Sequence, residues 1–340
     1  MALQAPAPTV PRTLADTLQP LPYPTYASRS QTMSTTGWTR RKRGEAGDAP
    51  ARPVEPVCSL PEFSMLGRVR TGLLQGLQLR SIPINTPIPP TVATWLDSRI
   101  INPSLGRPIE ITSEAIGLEF FGDLMDNAVV PIVSMLSGET IGMKRVDPNL
   151  TQGQKGDRKY EFVRVGRDPQ PNQLLKVVCA EGKTAKNVRR TYGTKRRVGG
   201  KMWPSLDEPI DISLFKAAGL PDTLEGGSAM AVKMLLQVEG TKVGRWAILW
   251  SPPYFMLGER FVERTDAFLL CSPLCALHND PSQENMWLAK ESIIALLVAI
   301  VLSEAFPEDY KIPDPDRGTV AHILRIAQQV KLRKCGQPMD

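Results

Sequence analysis

The chain has 340 residues, of which 42% are apolar and 22% charged, and its formal net charge is +6. This length exceeds the usual size of one domain and the apolar fraction can supply a core, so the composition excludes a wholly disordered chain. Five irregularly spaced cysteines exclude a disulfide framework and favour a reducing compartment. The N-terminus lacks the basic patch and apolar stretch of a secretory signal, so we expect a cytoplasmic or nuclear protein that is not secreted.

Residues 1–57 are rich in Pro, Ala, Ser and Thr without helical or strand periodicity, which predicts a disordered, Pro-rich basic arm. The run TRRKR within it can act as a nuclear localisation signal, a nucleic-acid-binding arm or a solubilising charge run. Its four cations are Arg40, Arg41, Lys42 and Arg43. The stretch PLPYPTY, residues 20–26, is an incomplete match to the Pro/Tyr peptides that recruit host proteins, and recognition of it as polyproline II stays open.

Residues 58–278 are predicted to form a β-rich body. A short helix or turn is expected around residues 60–76, and a second short helix, carrying Trp95 and capped by Asn85 or Thr91, follows a Pro-rich connection. Nine short apolar or alternating stretches between residues 107 and 271 then predict strands. They are PIEIT, GLEFFG, AVVPIVSML, KYEFVRVG, LLKVVCAE, IDISLF, AMAVKMLLQVEG, GRWAILW and DAFLLC. Because little helix separates them, a predominantly antiparallel, sandwich-like sheet is favoured.

Residues 279–340 are predicted to be helical. Asp280 as N-cap, Pro281 at the first helical position and Pro307 as the stop enclose a helix of about 25 residues. Its apolar centre, IIALLVAIVL, is shorter than the ~20 residues that a membrane span needs, so it predicts a helix buried against the sheet or in a self-association interface. An amphipathic helix over residues 319–334 is expected next. The sequence therefore predicts an α+β fold with C-terminal helices.

A nucleotide-binding loop is the first enzymatic motif to test. Gly182, Lys183 and Thr184 match the end of a P-loop, but Val177 stands where the loop needs its first glycine, and Glu181 adds negative charge. Only two histidines occur in the chain, which removes most hydrolase schemes. We therefore expect no enzyme and no cofactor, although scattered carboxylates can bind Mg²⁺.

The string CSPLCALH presents a possible metal site. Cys271, Cys275 and His278 could share one ion, but a structural zinc needs a fourth ligand from elsewhere in the chain. The alternative is a pair of buried cysteines at the end of a strand. The pair of buried cysteines is favoured, so we expect no bound metal.

Positive charge is concentrated in residues 144–201, the basic segment, where 16 Lys/Arg face 5 Asp/Glu and give +11. Its densest part is predicted to be a projecting hairpin that turns at Tyr192-Gly193-Thr194 and binds a polyanion, either nucleic acid or an anionic membrane. A localisation element and a solvated surface without a partner are the alternatives. The polyanion-binding residues are Lys183, Lys186, Arg189, Arg190, Lys195, Arg196, Arg197 and Lys201. Tyr160 and Phe162 upstream can stack bases or face a core.

In size, basicity and layout the chain resembles viral structural proteins, either the matrix class or the coat and nucleocapsid class. The resemblance implies a non-enzymatic, self-assembling homo-oligomer that binds RNA or ribonucleoprotein, an anionic membrane surface peripherally, or both. A viral matrix protein is the first expectation. The alternatives are a coat, nucleocapsid or movement protein that binds RNA directly, and a metal-dependent enzyme that uses Cys271, Cys275 and His278.

Overall fold

The structure is a computed structural model of the chain. The described residues are 12–21, 57–59, 65–97, 113–146, 157–165, 174–182, 196–198, 201–203, 245–263, 266–272, 275–278, 289–318 and 320–321. Helices and strands both contribute to the core, as an α+β chain requires. The predicted strands at residues 108–112, 210–215 and 229–240, the TRRKR run and the PLPYPTY stretch lie outside the described residues.

Nine of the described strands form one mixed sheet with the order β1-β9-β8-β7-β4-β3-β2, in which β10 also pairs with β8 and β11 pairs with β10. These strands are β1 (Val57–Ser59), β2 (Thr140–Val146), β3 (Asp157–Val165), β4 (Leu174–Gly182), β7 (Trp246–Ser251), β8 (Tyr254–Glu263), β9 (Asp266–Cys271), β10 (Cys275–Ala276) and β11 (Ala289–Lys290). A separate antiparallel pair consists of β5 (Arg196–Val198) and β6 (Lys201–Trp203). The strands predicted at KYEFVRVG, LLKVVCAE, GRWAILW and DAFLLC are confirmed as β3, β4, β7 and β9.

The order of the sheet combines an antiparallel meander with parallel neighbours. Strands β2, β3 and β4 are antiparallel, β7 then lies parallel to β4, and β8 and β9 return antiparallel. Parallel pairing of β4 and β7 brings their carboxyl ends to the same edge of the sheet. A sheet edge of this kind can collect polar side chains from several strands.

Helices pack on one face of the sheet. They are α1 (Leu14–Thr17), α2 (Leu66–Leu79), α3 (Pro90–Leu96), α4 (Glu114–Leu124), a π-helical turn (Met125–Val129), α5 (Val130–Ser137) and α6 (Ile293–Ala305). The expected helix near Trp95 is confirmed as α3, but Pro89 occupies its N-cap position, so the predicted caps at Asn85 and Thr91 are wrong. The helix expected around residues 60–76 is confirmed as α2, which ends at Leu79.

The stretches GLEFFG and AVVPIVSML are helical, so the strands predicted there are wrong. Ser113 begins α4 by accepting a hydrogen bond from the Ile116 amide at 3.2 Å. Pro131 lies in the first turn of α5, where a missing amide hydrogen removes no helical hydrogen bond. Both stretches are apolar at most positions because they are deeply buried, and a buried helix then has the same hydrophobic pattern as a buried strand.

Helix α6 is the most deeply buried helix of the described core. Ser292 is its N-cap and accepts a hydrogen bond from the Ala295 amide at 3.1 Å, and the helix has 13 residues. The predicted burial of IIALLVAIVL is confirmed. The predicted helix of about 25 residues is wrong, because Ala289 and Lys290 belong to a strand and helicity begins at Ile293. Most of the helix expected over 319–334 lies outside the described residues.

Part of the N-terminal arm is folded. Leu14 and Leu21 are buried in the core cluster, and the Leu21 amide donates to the Leu277 carbonyl at 3.2 Å. Arg12 forms an ion pair with Asp97 at 2.7 Å. The prediction of disorder is therefore wrong for residues 12–21. Burial of two leucines, Leu14 and Leu21, anchors this short segment to the core.

Both faces of the central strands are buried. Trp246, Ile248 and Trp250 of β7 pack in one cluster with the helices, and we call their side of the sheet the near face. The alternate residues Ala247 and Leu249 lie on the opposite side, the far face, and are also buried. Polar side chains on the far face of these strands are therefore withdrawn from water.

Candidate functional site

The described part of the basic segment places cations on a hairpin and on the last strands of the sheet. Of the predicted polyanion-binding residues, Lys183, Lys186, Arg189, Arg190 and Lys195 lie outside the described residues. Arg196 and Arg197 belong to β5, and Lys201 belongs to β6. Strands β2 and β3 carry Lys144, Arg145, Arg158, Lys159 and Arg164, and they form one end of the sheet in the described order.

A described hairpin lies at the end of the basic segment. Val198 is paired with Lys201 and Arg197 with Met202 in an antiparallel pair. The intervening sequence is Gly-Gly, which is a favoured dipeptide in two-residue hairpin loops. The predicted turn at Tyr192 to Thr194 lies outside the described residues. The predicted upstream arm, VRRTY, lies outside the described residues.

A row of polar residues crosses the far face at the carboxyl ends of β4 and β7. Asp157 of β3 is paired with Glu181 of β4, and Ser251 of β7 is paired with Tyr254 of β8. Glu181 is opposite Leu249, two residues before Ser251 on β7. Because residues in register share a face and side chains alternate along a strand, Glu181, Ser251 and Tyr254 lie on the far face. We call Glu181, Ser251 and Tyr254 the polar row, and Asp157 is the backbone partner of Glu181 on β3.

The polar row is buried where its side chains are described. Glu181 is 1% exposed, Ser251 0% and Tyr254 3%. Burying a carboxylate is unfavourable unless charged or polar partners compensate it. Glu181 has such a partner, as does the buried Glu259, which pairs with Arg68 and Arg245.

Helix α4 fixes the backbone of the polar row from the near face. The Trp250 indole N–H donates to the Gly117 carbonyl at 2.7 Å. A Cβ at Gly182 would approach Leu118 Cγ to 2.8 Å, so only glycine permits the observed contact between strand and helix. The residues on either side, Glu181 and Ser251, are consequently held on a rigid part of the sheet.

Two members of the cysteine and histidine string, Cys275 and His278, have described side chains, and these lie on opposite faces. Cys275 packs in the hydrophobic core together with Leu277, whereas alternation places His278 on the opposite face. Cys271 ends β9, where it is paired with Gly258. Among the side chains that the structure describes, no group of three or more His, Cys, Asp or Glu residues could hold a metal ion.

A second buried charged cluster connects the sheet with α2 and the C-terminal segment. Glu259 is fully buried, and its two carboxylate oxygens accept from Arg68 and from Arg245, whose Nε lies 2.8 Å away. Arg68 also donates to the Pro313 carbonyl at 2.7 Å. Two guanidinium groups therefore bind one carboxylate, and one of the two also donates to a backbone carbonyl. We call this cluster a structural clamp, because its contacts hold the sheet, α2 and the C-terminal segment together.

Sequence reasoning missed the polar row. It registered Glu181 only as a charge beside the Gly182-Lys183-Thr184 triplet, although an acidic residue inside an apolar strand was a usable signal. Ser251 gave no signal, because its place beside Glu181 depends on the parallel pairing of β4 with β7.

No helix within the described ranges combines the length and the apolar character needed to cross a membrane.

Comparison of the chain with protein-family models, with curated proteins and with solved structures found no match.

Proposed function

We propose that the chain binds nucleic acid through its basic segment and hydrolyses the phosphodiester backbone with a divalent cation at the polar row. The observation that carries the proposal is the pairing of Asp157 with the buried Glu181 on adjacent strands within that segment. Two carboxylates at paired positions of adjacent strands would repel an anionic phosphate unless a cation lies between them. Both carboxylates belong to the basic segment, whose net charge is +11. This position suits a nucleic acid, because its phosphates can contact both the Lys and Arg side chains and a bound metal ion.

The donor set fits Mg²⁺ or Mn²⁺. Mg²⁺ commonly binds to one or two carboxylates, keeps several waters and takes its remaining ligands from substrate phosphates. A third protein carboxylate is therefore not needed. Asp157 and Glu181 are the residues that would hold the ion, on strands whose register is fixed by the sheet.

The chain's own residues have distinct roles in this proposal. A bound divalent cation supplies Lewis acidity toward a phosphoryl oxygen and lowers the pKa of water. Asp157 and Glu181 would hold the cation, and Lys183, two residues after Glu181 in the sequence, would offer an ammonium group for the negative charge that develops on the phosphate. The hairpin with Arg196 and Arg197 contributes sequence-independent attraction to the nucleic-acid backbone.

A second candidate function is the one expected from charge and layout. In it the chain is a non-enzymatic, self-assembling structural protein, of the viral matrix class or of the coat, nucleocapsid or movement class, with a predominantly antiparallel, sandwich-like body. The basic segment supports this candidate equally. The pairing of Asp157 with Glu181 on adjacent strands is the observation that favours hydrolysis.

Binding measured at several salt concentrations separates the partners. We expect the variant with Arg189, Arg190, Arg196 and Arg197 all changed to Ala to bind labelled RNA and DNA more weakly, with a shallower salt dependence by up to ~0.7 to 0.9 in log–log slope per lost phosphate contact. The matched control removes the same charge from exposed residues elsewhere. It changes Arg70, Arg80, Lys311 and Arg317 to Ala.

The same experiment has arms for the cation and for lipid. Ca²⁺ should tighten wild-type binding relative to EDTA, and Glu181→Gln should abolish that gain because the carboxylate ligand is lost. Flotation with phosphatidylserine vesicles tests the matrix alternative. If the Arg→Ala variant loses vesicle binding and keeps nucleic-acid binding, the proposed partner is wrong.

A further inference from the structure

The N-terminal segment 12–21, which we call the strap, lies across the helical side of the core. Its backbone is held toward both ends. The Ala15 amide donates to the Ile84 carbonyl at 2.8 Å, and the Leu21 amide donates to the Leu277 carbonyl at 3.2 Å. The strap therefore connects the loop after α2 with the chain just after β10 and belongs to neither.

The strap closes an apolar groove between α2, α5 and α6. A small cavity remains in the groove, and Leu14 and Leu18 of the strap line one side of it. The side formed by the three helices is apolar throughout and consists of Leu73, Leu77, Ile132, Leu136, Ala295 and Val298. The groove therefore fits a short apolar segment with leucines at the spacing found in the strap.

The connection between the strap and the sheet is longer than the sheet geometry requires. Leu21 is bridged with His278 next to β10, and Val57 begins β1 beside β9. Since β9 and β10 both pair with β8, roughly ten residues would join these two places. The connection comprises residues 22–56, and a chain of that length can span roughly 100 Å. The strap of one copy can therefore reach the groove of a second copy.

A patch of exposed apolar side chains borders the strap. Leu74, Leu79 and Ile84 are 38%, 73% and 51% exposed, and they are the exposed large apolar residues within the described ranges. The hydrogen bond from Ala15 to the Ile84 carbonyl places this patch directly beside the strap. Grouped apolar side chains on a surface are typical of a contact with another macromolecule. Two copies that exchange straps would be held together at this surface.

We propose that the groove between α2, α5 and α6 accepts the strap of a second copy of this chain, and that Leu79 and Ile84 are buried where the two copies meet. Every exchanged contact is identical to one that the strap makes within its own copy, so the fit of the partner follows from the structure. Exchange of an identical element is a low-cost route to a dimer. Because a tethered segment has an effective concentration on the order of 1 mM, exchange is expected in concentrated protein or in an assembly. The inference does not depend on the proposed hydrolysis.

Disulfide trapping between two variants tests the exchange directly. Thr13 and Pro87 are partners in an antiparallel bridge, and such pairs have Cα atoms within the range of a disulfide. Thr13→Cys and Pro87→Cys are made as separate full-length variants, mixed at about 1 mM and oxidised. We expect a covalent dimer in which mass spectrometry finds a peptide joining residues 13 and 87, because neither chain contains both new cysteines. A mixture of Thr13→Cys with Arg317→Cys, at an exposed site of the C-terminal segment, is the control and should give no bridge between the two new cysteines.

The variant that carries both Thr13→Cys and Pro87→Cys shows how the proposal would fail. If this variant forms the bridge within one chain and the mixture forms none between chains, the strap stays in its own copy and the proposal is wrong. If neither forms the bridge, the strap does not occupy the groove, and the proposal is also wrong.

Sedimentation velocity measures the contribution of the exposed patch. Leu79→Ser should raise the dimer dissociation constant about 10-fold, because a leucine buried between copies is lost. Its melting temperature should match that of the wild type, since Leu79 is 73% exposed in one copy. Gln78→Ser, also at an exposed site of α2, is the control and should leave the dissociation constant unchanged. A wild type that stays monomeric at about 1 mM, or equal dissociation constants for wild type and Leu79→Ser, would contradict the proposed interface.

Discussion

The Glu259 carboxylate shows how individual residues secure this fold. It is fully buried and satisfied by Arg68 and Arg245. Removing one charge from this buried cluster leaves the remaining charges desolvated and without a partner. The cost in folding free energy is much larger than the cost of losing an exposed ion pair.

We therefore expect Glu259→Gln to lower the free energy of unfolding by about 3 kcal/mol, since breaking a buried ion pair costs about 3–5 kcal/mol. Asp309→Asn is the control, because its pair with Arg80 is at the surface and exposed pairs contribute less than about 1 kcal/mol. Urea unfolding monitored by tryptophan fluorescence measures both. Equal losses in the two variants would contradict the assignment of Glu259 as a clamp.

Glu304 is the residue whose ionisation opposes folding. Burial raises the pKa of its carboxyl group above the ordinary value of 4.5, against the opposing effects of Arg245 and of the hydrogen bond that the Trp246 indole donates. A raised pKa means that the native state holds its proton more tightly than the unfolded chain. The contribution of Glu304 to stability is therefore present below pH 4.5 and is lost as pH rises through the raised pKa.

Replacing Glu304 by Gln should remove the loss of stability that occurs as pH rises. The amide carries no charge, and its oxygen can still accept the hydrogen bond from the Trp246 indole. The stability of Glu304→Gln relative to wild type should increase as pH rises from 4 to 7, measured by thermal melts across that range. Glu308→Gln, at an exposed site, should follow the wild type. A stability difference that is constant with pH would show that ionisation of Glu304 is not the cause.

Two glycines of α2 allow this helix to pack closely against residues 310–312 of the C-terminal segment. A Cβ at Gly72 would lie 2.9 Å from Ile312 Cα, and one at Gly76 would lie 2.0 Å from Tyr310 Cδ1. These glycines are four residues apart on one face of α2, so they form a flat strip against which residues 310–312 pack. The Tyr310 ring fills the space that a side chain at Gly76 would need.

Gly76→Ala should destabilise the protein by at least about 1–3 kcal/mol, because the added methyl group forces Tyr310 out of its site. Gly67→Ala in the same helix is the matched control, since nothing lies within 4 Å of its added Cβ. It should stabilise by ~0.5–1 kcal/mol through higher helix propensity. Thermal unfolding measures the pair, and a stabilising Gly76→Ala would refute the close contact.

Helices and strands were predictable from the sequence where the hydrophobic pattern fits only one of the two. Alternation in KYEFVRVG and the short bounded run of GRWAILW indicate strands, and both are strands. The 117–122 and 128–136 stretches are apolar nearly throughout, and their lengths fit a strand as well as half of a longer helix. Strands β2 and β8 were missed, because Gly142 and Gly258 interrupt their apolar runs.

At the scale of the whole molecule, the candidate site depends on strand order that a single sequence does not reveal. Asp157 and Glu181 are 24 positions apart, and Glu181 and Ser251 are 70 apart. Only the antiparallel step from β3 to β4 and the parallel step from β4 to β7 bring them to one edge. Charge, by contrast, is read directly from the sequence, so the basic segment was found and the polar row was not.

We propose that a divalent cation bound at Asp157 and Glu181 would cut a nucleic acid bound by the basic segment. The most direct measurement is cleavage of end-labelled DNA and RNA by purified wild type and Glu181→Gln, in Mg²⁺, Mn²⁺ and EDTA. We predict products with the wild type in Mg²⁺ or Mn²⁺, none in EDTA, and at least a 100-fold slower rate for the variant, as loss of a first ligand requires. Absence of cleavage by the wild type, or equal cleavage by both proteins, would contradict the claim.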